Sequence, residues 1–204
     1  SYAVVDWLKT EFRAAHDVRS AAAQLDTAVI YPDHTADLVV QTWMGYRLYV
    51  YLLNQAPKAR DIRSLLRENT RAGVGTLFIV RHSLLPADGT CQELNDWQHV
   101  LSILSDGWIC AYRAAQASPA LMQVHLTPTR TADEYQAWHV PDFSIESVHV
   151  RRRSLQGSMR GEWFVGDIAS VNFRRRVNTE RINQRFHYST RSAPGGSARK
   201  STTT

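Results

Sequence analysis

Two arginine triplets, Arg151-Arg152-Arg153 and Arg174-Arg175-Arg176, are the residues whose type and spacing point most directly to chemistry. A guanidinium presents a rigid fork of donors that matches phosphate and carboxylate oxygens, so clustered arginines suit an acidic or polyanionic partner. Arg181 and Arg185 extend the segment and complete the candidate nucleic-acid-binding set. Three consecutive strand residues cannot share a face, so the triplets form one patch only if Arg181, Arg185 and Arg191 fold over them. A second set, Arg60, Arg63, Arg67 and Arg71, recurs at helical spacing. It could be a phosphate-contacting stripe, but with Asp61 and Glu68 nearby it reads rather as a solvated, ion-paired helix face.

Other reactive constellations are missing. Eight histidines are scattered without metal-ligand spacing. Cys91 and Cys110, the only cysteines, fit neither a zinc knuckle nor a redox pair, and read as reduced and structural. Gly73-Val74-Gly75-Thr76 lacks the lysine of a phosphate loop and reads as a helix stop. Gly157-Ser158-Met159-Arg160-Gly161 is not a nucleophile elbow, because its serine directly follows the first glycine. The expectation is no resident metal, no cofactor, and no catalytic residues from these groups.

Hydrophobic spacing predicts the elements that must position these residues. Val4, Leu8, Phe12 and Ala15 recur as on a helix, and three consecutive alanines extend a second helical stretch over Arg19 to Leu25. Ala28 to Tyr31 is short and β-prone. Leu38 to Trp43 and Tyr46 to Leu53 read as a hairpin around Met44-Gly45. Ala59 to Thr70 returns to helical spacing and ends at Gly73; Leu77 to Arg81 is a buried-type strand. A helix follows, capped by Asn95 or Asp96 and stopped by Gly107, and then the strand Trp108 to Tyr112. Beyond Pro119 the chain is mostly β, with extended runs over Leu121–Leu126, Tyr135–Val140, Phe143–Val150 and Trp163–Phe173, the last two joined through Gly157. Thr179 to Tyr188 reads as one closing helix.

The order helix, three strands, helix, strand resembles the core of the restriction-endonuclease-like (PD-(D/E)xK) superfamily over about residues 3–81. In that family an acid on the second strand and an acid-x-Lys on the third bind a divalent metal and activate water. Asp37, ahead of Leu38-Val39-Val40, matches the second-strand acid, and Asp33 could add a carboxylate. The third-strand acid and lysine positions hold Tyr51 and Leu53. A hard cation needs oxygen ligands, and one carboxylate with a phenol is a poor set. The resemblance therefore implies a degenerate site in which Asp33 and Asp37 are vestigial.

Charge divides the chain. Residues 1–149 carry 12 Lys/Arg against 16 Asp/Glu, whereas residues 150–204 carry 12 against 3. The fold class expected is α+β: a mixed central sheet flanked by helices, a β-rich C-terminal region and a disordered tail. The segments are an endonuclease-like core (1–117), a β-rich hairpin region with a closing helix (118–188) and a linker or tail (189–204). No run approaches the length of a membrane span, and a cytoplasmic location is expected. The function expected is a non-catalytic scaffold or protein-interaction module of a larger prokaryotic protein, with a protein partner. The alternative is nucleic-acid binding through the Arg-rich C-terminal part, and, third, a metal-dependent nuclease.

Residues 189–204 contain no Val, Ile, Leu, Met or aromatic side chain, so nothing offsets an ordering cost of about 1–2 kcal/mol per residue. Limited trypsin digestion should cut at Arg191 or Arg199 before the core. Deleting the segment should leave the melting temperature unchanged; a loss of several degrees would show that it is docked.

Overall fold

The computed structural model describes residues 2–27, 30, 35–114, 119–131, 133–140 and 144–169. All of them lie in one compact unit, Ser1–Ser170. The elements are α1 (Tyr2–Ala14), β1 (Val18–Ala23), α2 (Gln24–Thr27), β2 (Leu38–Thr42), β3 (Arg47–Leu53), α3 (Ala59–Arg71) and β4 (Gly75–Arg81). They continue with β5 (Cys91–Glu93), α4 (Asp96–Leu104), β6 (Trp108–Arg113), β7 (Ala120–Pro128), β8 (Glu134–Val140), β9 (Ser147–Leu155) and β10 (Gly161–Ala169). The protein is α+β, with a mixed sheet between helices.

Alternation along β2 and β3 sends side chains to two different cores. Leu38, Val40, Leu48 and Val50 pack with Leu8 and Phe12 of α1 on one face. Tyr51 packs on the other face with Ile62 and Leu66 of α3, and with Trp97, Val100 and Leu101 of α4. The hairpin is thus covered on both sides, as its apolar content on both faces predicts. Its four aliphatic residues Leu38, Val40, Leu48 and Val50 are 0% exposed.

The strand order is β1-β2-β3-β4-β6-β7-β8-β5. β1, β2 and β3 form an antiparallel meander. α3 then carries the chain back so that β4 runs parallel to β3, and β6 runs parallel to β4. The sheet continues across residue 117 through the antiparallel pairs β6–β7 and β7–β8. Beside β4 it forks. β10 meets β4 in parallel at Thr76 and Val165, whereas β6 meets the same side of β4 at Val80 and Arg81. β9 then pairs with β10 along their whole lengths.

Two glycines permit the fork. A Cβ on Gly166 of β10 would lie 2.2 Å from Leu48 Cδ1 and 3.1 Å from Leu77 Cβ. A Cβ on Gly75 of β4 would lie 2.8 Å from Val150 Cγ1 and 3.2 Å from Leu48 Cδ1. The fully buried Leu48 occupies the space a Gly166 side chain would need, and Val150, with Leu48 beside it, occupies that of a Gly75 side chain. Close approach of backbone to side chain, rather than a positive φ, is what demands glycine here.

One expected element is corrected. The stretch Arg19 to Leu25 is not a helix: Val18–Ala23 is the edge strand β1, followed by the single turn α2. Alanine favours helix, but pairing with β2 and burial of Val18 and Ala21 override that local preference. Arg19 is the extra residue of a bulge, which twists an edge strand away from unwanted pairing. Side chains also take backbone groups of this strand. Arg13 Nε donates to the Ala21 carbonyl (2.9 Å), the Ala23 amide donates to Asp26 Oδ2 (3.3 Å), and Thr27 Oγ1 donates to the Ala23 carbonyl (3.2 Å). β5, three exposed residues long, is too short to show a period in the sequence. The expected strand at Ala28 to Tyr31, apart from Ile30, and the closing helix and tail lie outside the described residues.

Substituting Gly166→Ala should overpack the fork at a cost of about 1–3 kcal/mol, read as a lower melting temperature. Leu48→Ala should cost less in that background than in the wild type, because the two changes share one space. Additive losses would show that the contact is not the constraint.

Candidate site beside Asp37 and the arginine hairpin

Asp37 stands at the start of β2, where its backbone is already committed. Its amide donates to the Val50 carbonyl (3.0 Å), and its carbonyl accepts from the Gln24 amide (3.0 Å). Its carboxylate is committed too: Oδ2 accepts from the Leu52 amide of β3 at 2.7 Å. Burial lifts the Asp37 carboxyl above the ordinary carboxylate range, and the amide bonds only partly offset this. Tyr51, at the position of the expected second acid, points into the α3 core. Asn69 Nδ2 donates to its hydroxyl at 3.0 Å and to Thr76 Oγ1 at 2.9 Å. Burial raises the phenol's pKa. Leu53, at the lysine position, packs against the same core.

Asp37 also lines a cleft of about 450 Å³ with Val5, Asp6 and Lys9 of α1 and with Gln24, Leu25 and Asp26 of α2. Inspection of β3 alone finds no lysine, yet the fold brings one, from α1, to the cleft that Asp37 lines. Lys9 Nζ lies 3.1 Å from Asp6 Oδ1 and 3.5 Å from Asp26 Oδ2. The hydrogen bond to Asp6 leads the effects that raise the Lys9 pKa, so the amine stays charged and is no general base. The Asp6–Lys9 spacing is visible in the sequence as a helix pair; the return of Asp26 to the same place is not.

A divalent metal does not fit these residues. Tyr51 and Leu53 offer no carboxylate or lysine, and the Asp37 carboxylate accepts an amide bond. No group of three or more His, Cys, Asp or Glu side chains among the described residues could hold an ion. Asp33 lies outside the described residues. Cys91 and Cys110 are both free thiols, and burial pushes Cys110 far above the range in which a thiol ionises. His125 stacks on Trp108 with ring centroids 4.0 Å apart, and His149 Nε2 lies 3.1 Å from Ser147 Oγ.

The arginine triplet on β9 faces acids. Arg152 sits opposite Phe164, and Arg153 opposite Trp163. Arg151 lies 3.5 Å from Asp167 and 3.8 Å from Asp106, and Arg153 bonds Asp106 directly. Arg152 takes the other face, with its guanidinium 5.0 Å over the Phe164 ring and 3.9 Å from Glu162. Three arginines thus meet three carboxylates, and the positive charge this hairpin offers a polyanion is largely cancelled nearby. On α3, Arg60, Arg67 and Arg71 are exposed, whereas Arg63, next to the buried Ile62, is half-buried. Arg60 pairs with Asp61 (3.3 Å), whereas Glu68 accepts from Ser64 Oγ. Arg174, Arg175, Arg176, Arg181 and Arg185 lie outside the described residues.

No protein-family model, curated protein or solved structure matches this chain. No helix among the described residues is long and apolar enough to cross a membrane.

The Asp37 geometry sets a pH signature. Its folded pKa is raised, so the folded protein holds the proton more tightly than the unfolded chain, whose value is near 3.8. Its contribution to stability is therefore largest below that value and falls as pH rises through the folded pKa. Asp37→Asn keeps an acceptor for Leu52 and removes the desolvated charge. At neutral pH it should melt at or above the wild-type temperature, with the gap closing at about pH 3. Asp37→Ala leaves the Leu52 amide without its acceptor and should cost about 1–3 kcal/mol.

Proposed function

We propose that this chain is a non-catalytic protein-interaction module built on a degenerate restriction-endonuclease-like core. The order α1, β1, β2, β3, α3, β4, interrupted only by the one-turn α2, supports the likeness. The observation that carries the non-catalytic part is the fate of the three expected site positions. Asp37 accepts a backbone amide, Tyr51 is bonded to Asn69 inside the core, and Leu53 is apolar packing. Each side chain serves the fold. Lys9 lies in the same cleft as Asp37, but ion pairs to Asp6 and Asp26 hold it.

The nucleic-acid alternative rests on arginines, and the described triplet already has acidic neighbours. A nuclease would need metal at Asp37, and this separates the readings. Titration with magnesium or manganese should leave the melting temperature unmoved, since a ligand that does not bind leaves stability unchanged. Plasmid incubated with the protein and either ion should stay intact. Metal-dependent cleavage, or a stabilisation lost in Asp37→Asn, would replace the interaction-module reading with the nuclease one.

A further inference from the structure

The turn between β2 and β3 exposes three large apolar side chains in four residues. Trp43 is 68% exposed, Met44 79% and Tyr46 51%. Isolated exposed hydrophobics are ordinary, but a Trp-Met-x-Tyr cluster at one hairpin turn is not. The turn is also firmly pinned. Gly45 takes φ +85°, its amide donates to the Thr42 carbonyl (3.0 Å), and the Thr42 amide donates to the Tyr46 carbonyl (2.9 Å). Thr42 Oγ1 accepts from the Tyr46 amide (3.1 Å). The Trp43 amide donates to the Asp17 carbonyl (3.0 Å), tying the tip to the α1–β1 connection. The apolar side chains are therefore displayed by a fixed backbone, which lowers the ordering cost of binding.

Charge selects the partner. Arg19, exposed at the bulge of β1, holds its guanidinium 5.9 Å from the Trp43 ring. The nearby Asp17 carboxylate points elsewhere, with both oxygens 2.9 Å from the Val148 amide. Tryptophan, tyrosine, methionine and arginine are the residues enriched in protein interfaces, and Trp, Tyr and Arg supply most of their hot spots.

We propose that the Trp43–Tyr46 tip, with Arg19 beside it, is a docking point for an acidic segment of a protein partner bearing apolar anchors. The proposal rests on the interaction-module reading and names its surface.

The test uses the full chain, isotope-labelled for NMR, and two short synthetic peptides with the same Leu and Phe positions, separated by Asp and Glu in one and by Lys in the other. The acidic peptide should shift the Trp43 indole and the Tyr46 amide to saturation, and less so at high salt; the Lys peptide should not. Trp43→Ala with Met44→Ala should weaken the acidic peptide roughly 30-fold, the scale of a hot-spot loss, without lowering the melting temperature. Shifts confined to another surface, such as the Arg60–Arg71 face, would overturn the tip while leaving an interaction module standing. Tip shifts produced by oligo-dT or by phosphatidylserine vesicles, but not by the acidic peptide, would overturn it in favour of nucleic acid or membrane. Absence of any shift at millimolar acidic peptide would also overturn it, whatever the nuclease assay shows.

Discussion

Leu48 lies where three strands crowd one another, and the shape of the sheet follows from how that crowding is resolved. Its side chain reaches toward both Gly75 of β4 and Gly166 of β10; a methyl group at Gly166 would collide with it, and one at Gly75 would collide with Val150 of β9 and press on it. With no side chain at those points, β10 can close on the first half of β4 while β6 takes the second half. A wedge opens between the two branches, lined by Thr76, Cys110, Gln123 and Asp167 and enclosing about 40 Å³. The amide oxygen of the buried Gln123 meets no hydrogen-bond donor among the described residues. In a close-packed interior a few such misfits are tolerated where topology forces them. The fork makes the β9–β10 hairpin part of the same sheet as the α1–β4 core.

Most of the fold was legible because its signals are local and periodic. The apolar stripe of α1, the covered hairpin Leu38 to Leu53, the stop at Gly73 and the start of α4 at Asn95 all follow from spacing and caps. At the last of these, the Asn95 amide donates to Gln98 Oε1 at 2.9 Å. Three features escaped. The alanines of β1 look helical because local preference ignores the strand waiting beside them. β5 is too short to have a period. The fork depends on two glycines about ninety residues apart meeting Leu48 and Val150, and no window along the chain contains that information.

The site divides the same way. Asp37 could be picked out from its position before a β run, but its role could not, because the amide it accepts belongs to Leu52. Lys9 and Asp26 reach the same cleft only through the packing of α1 and α2. The arginine triplet was plain in the sequence, and the β9–β10 register makes Glu162 a foreseeable neighbour of Arg152. Asp106, which takes both Arg151 and Arg153, comes from the turn after α4 and was not foreseeable. Charge counting over a segment overstates what it offers a partner when the opposing acids arrive from elsewhere.

The treatment of β1 bears on how anything recognises this end of the sheet. A bare edge strand invites a visiting strand to extend the ladder, a mode in which backbone supplies affinity and sequence matters little. Here Arg13, Asp26 and Thr27 already bond backbone groups of Ala21 and Ala23, and Arg19 bulges out of register. A visitor would have to displace three side chains and straighten the bulge before gaining its first ladder bond. Ladder extension is closed at this margin, so selectivity there must be written in side chains, which a single substitution in either molecule can redirect.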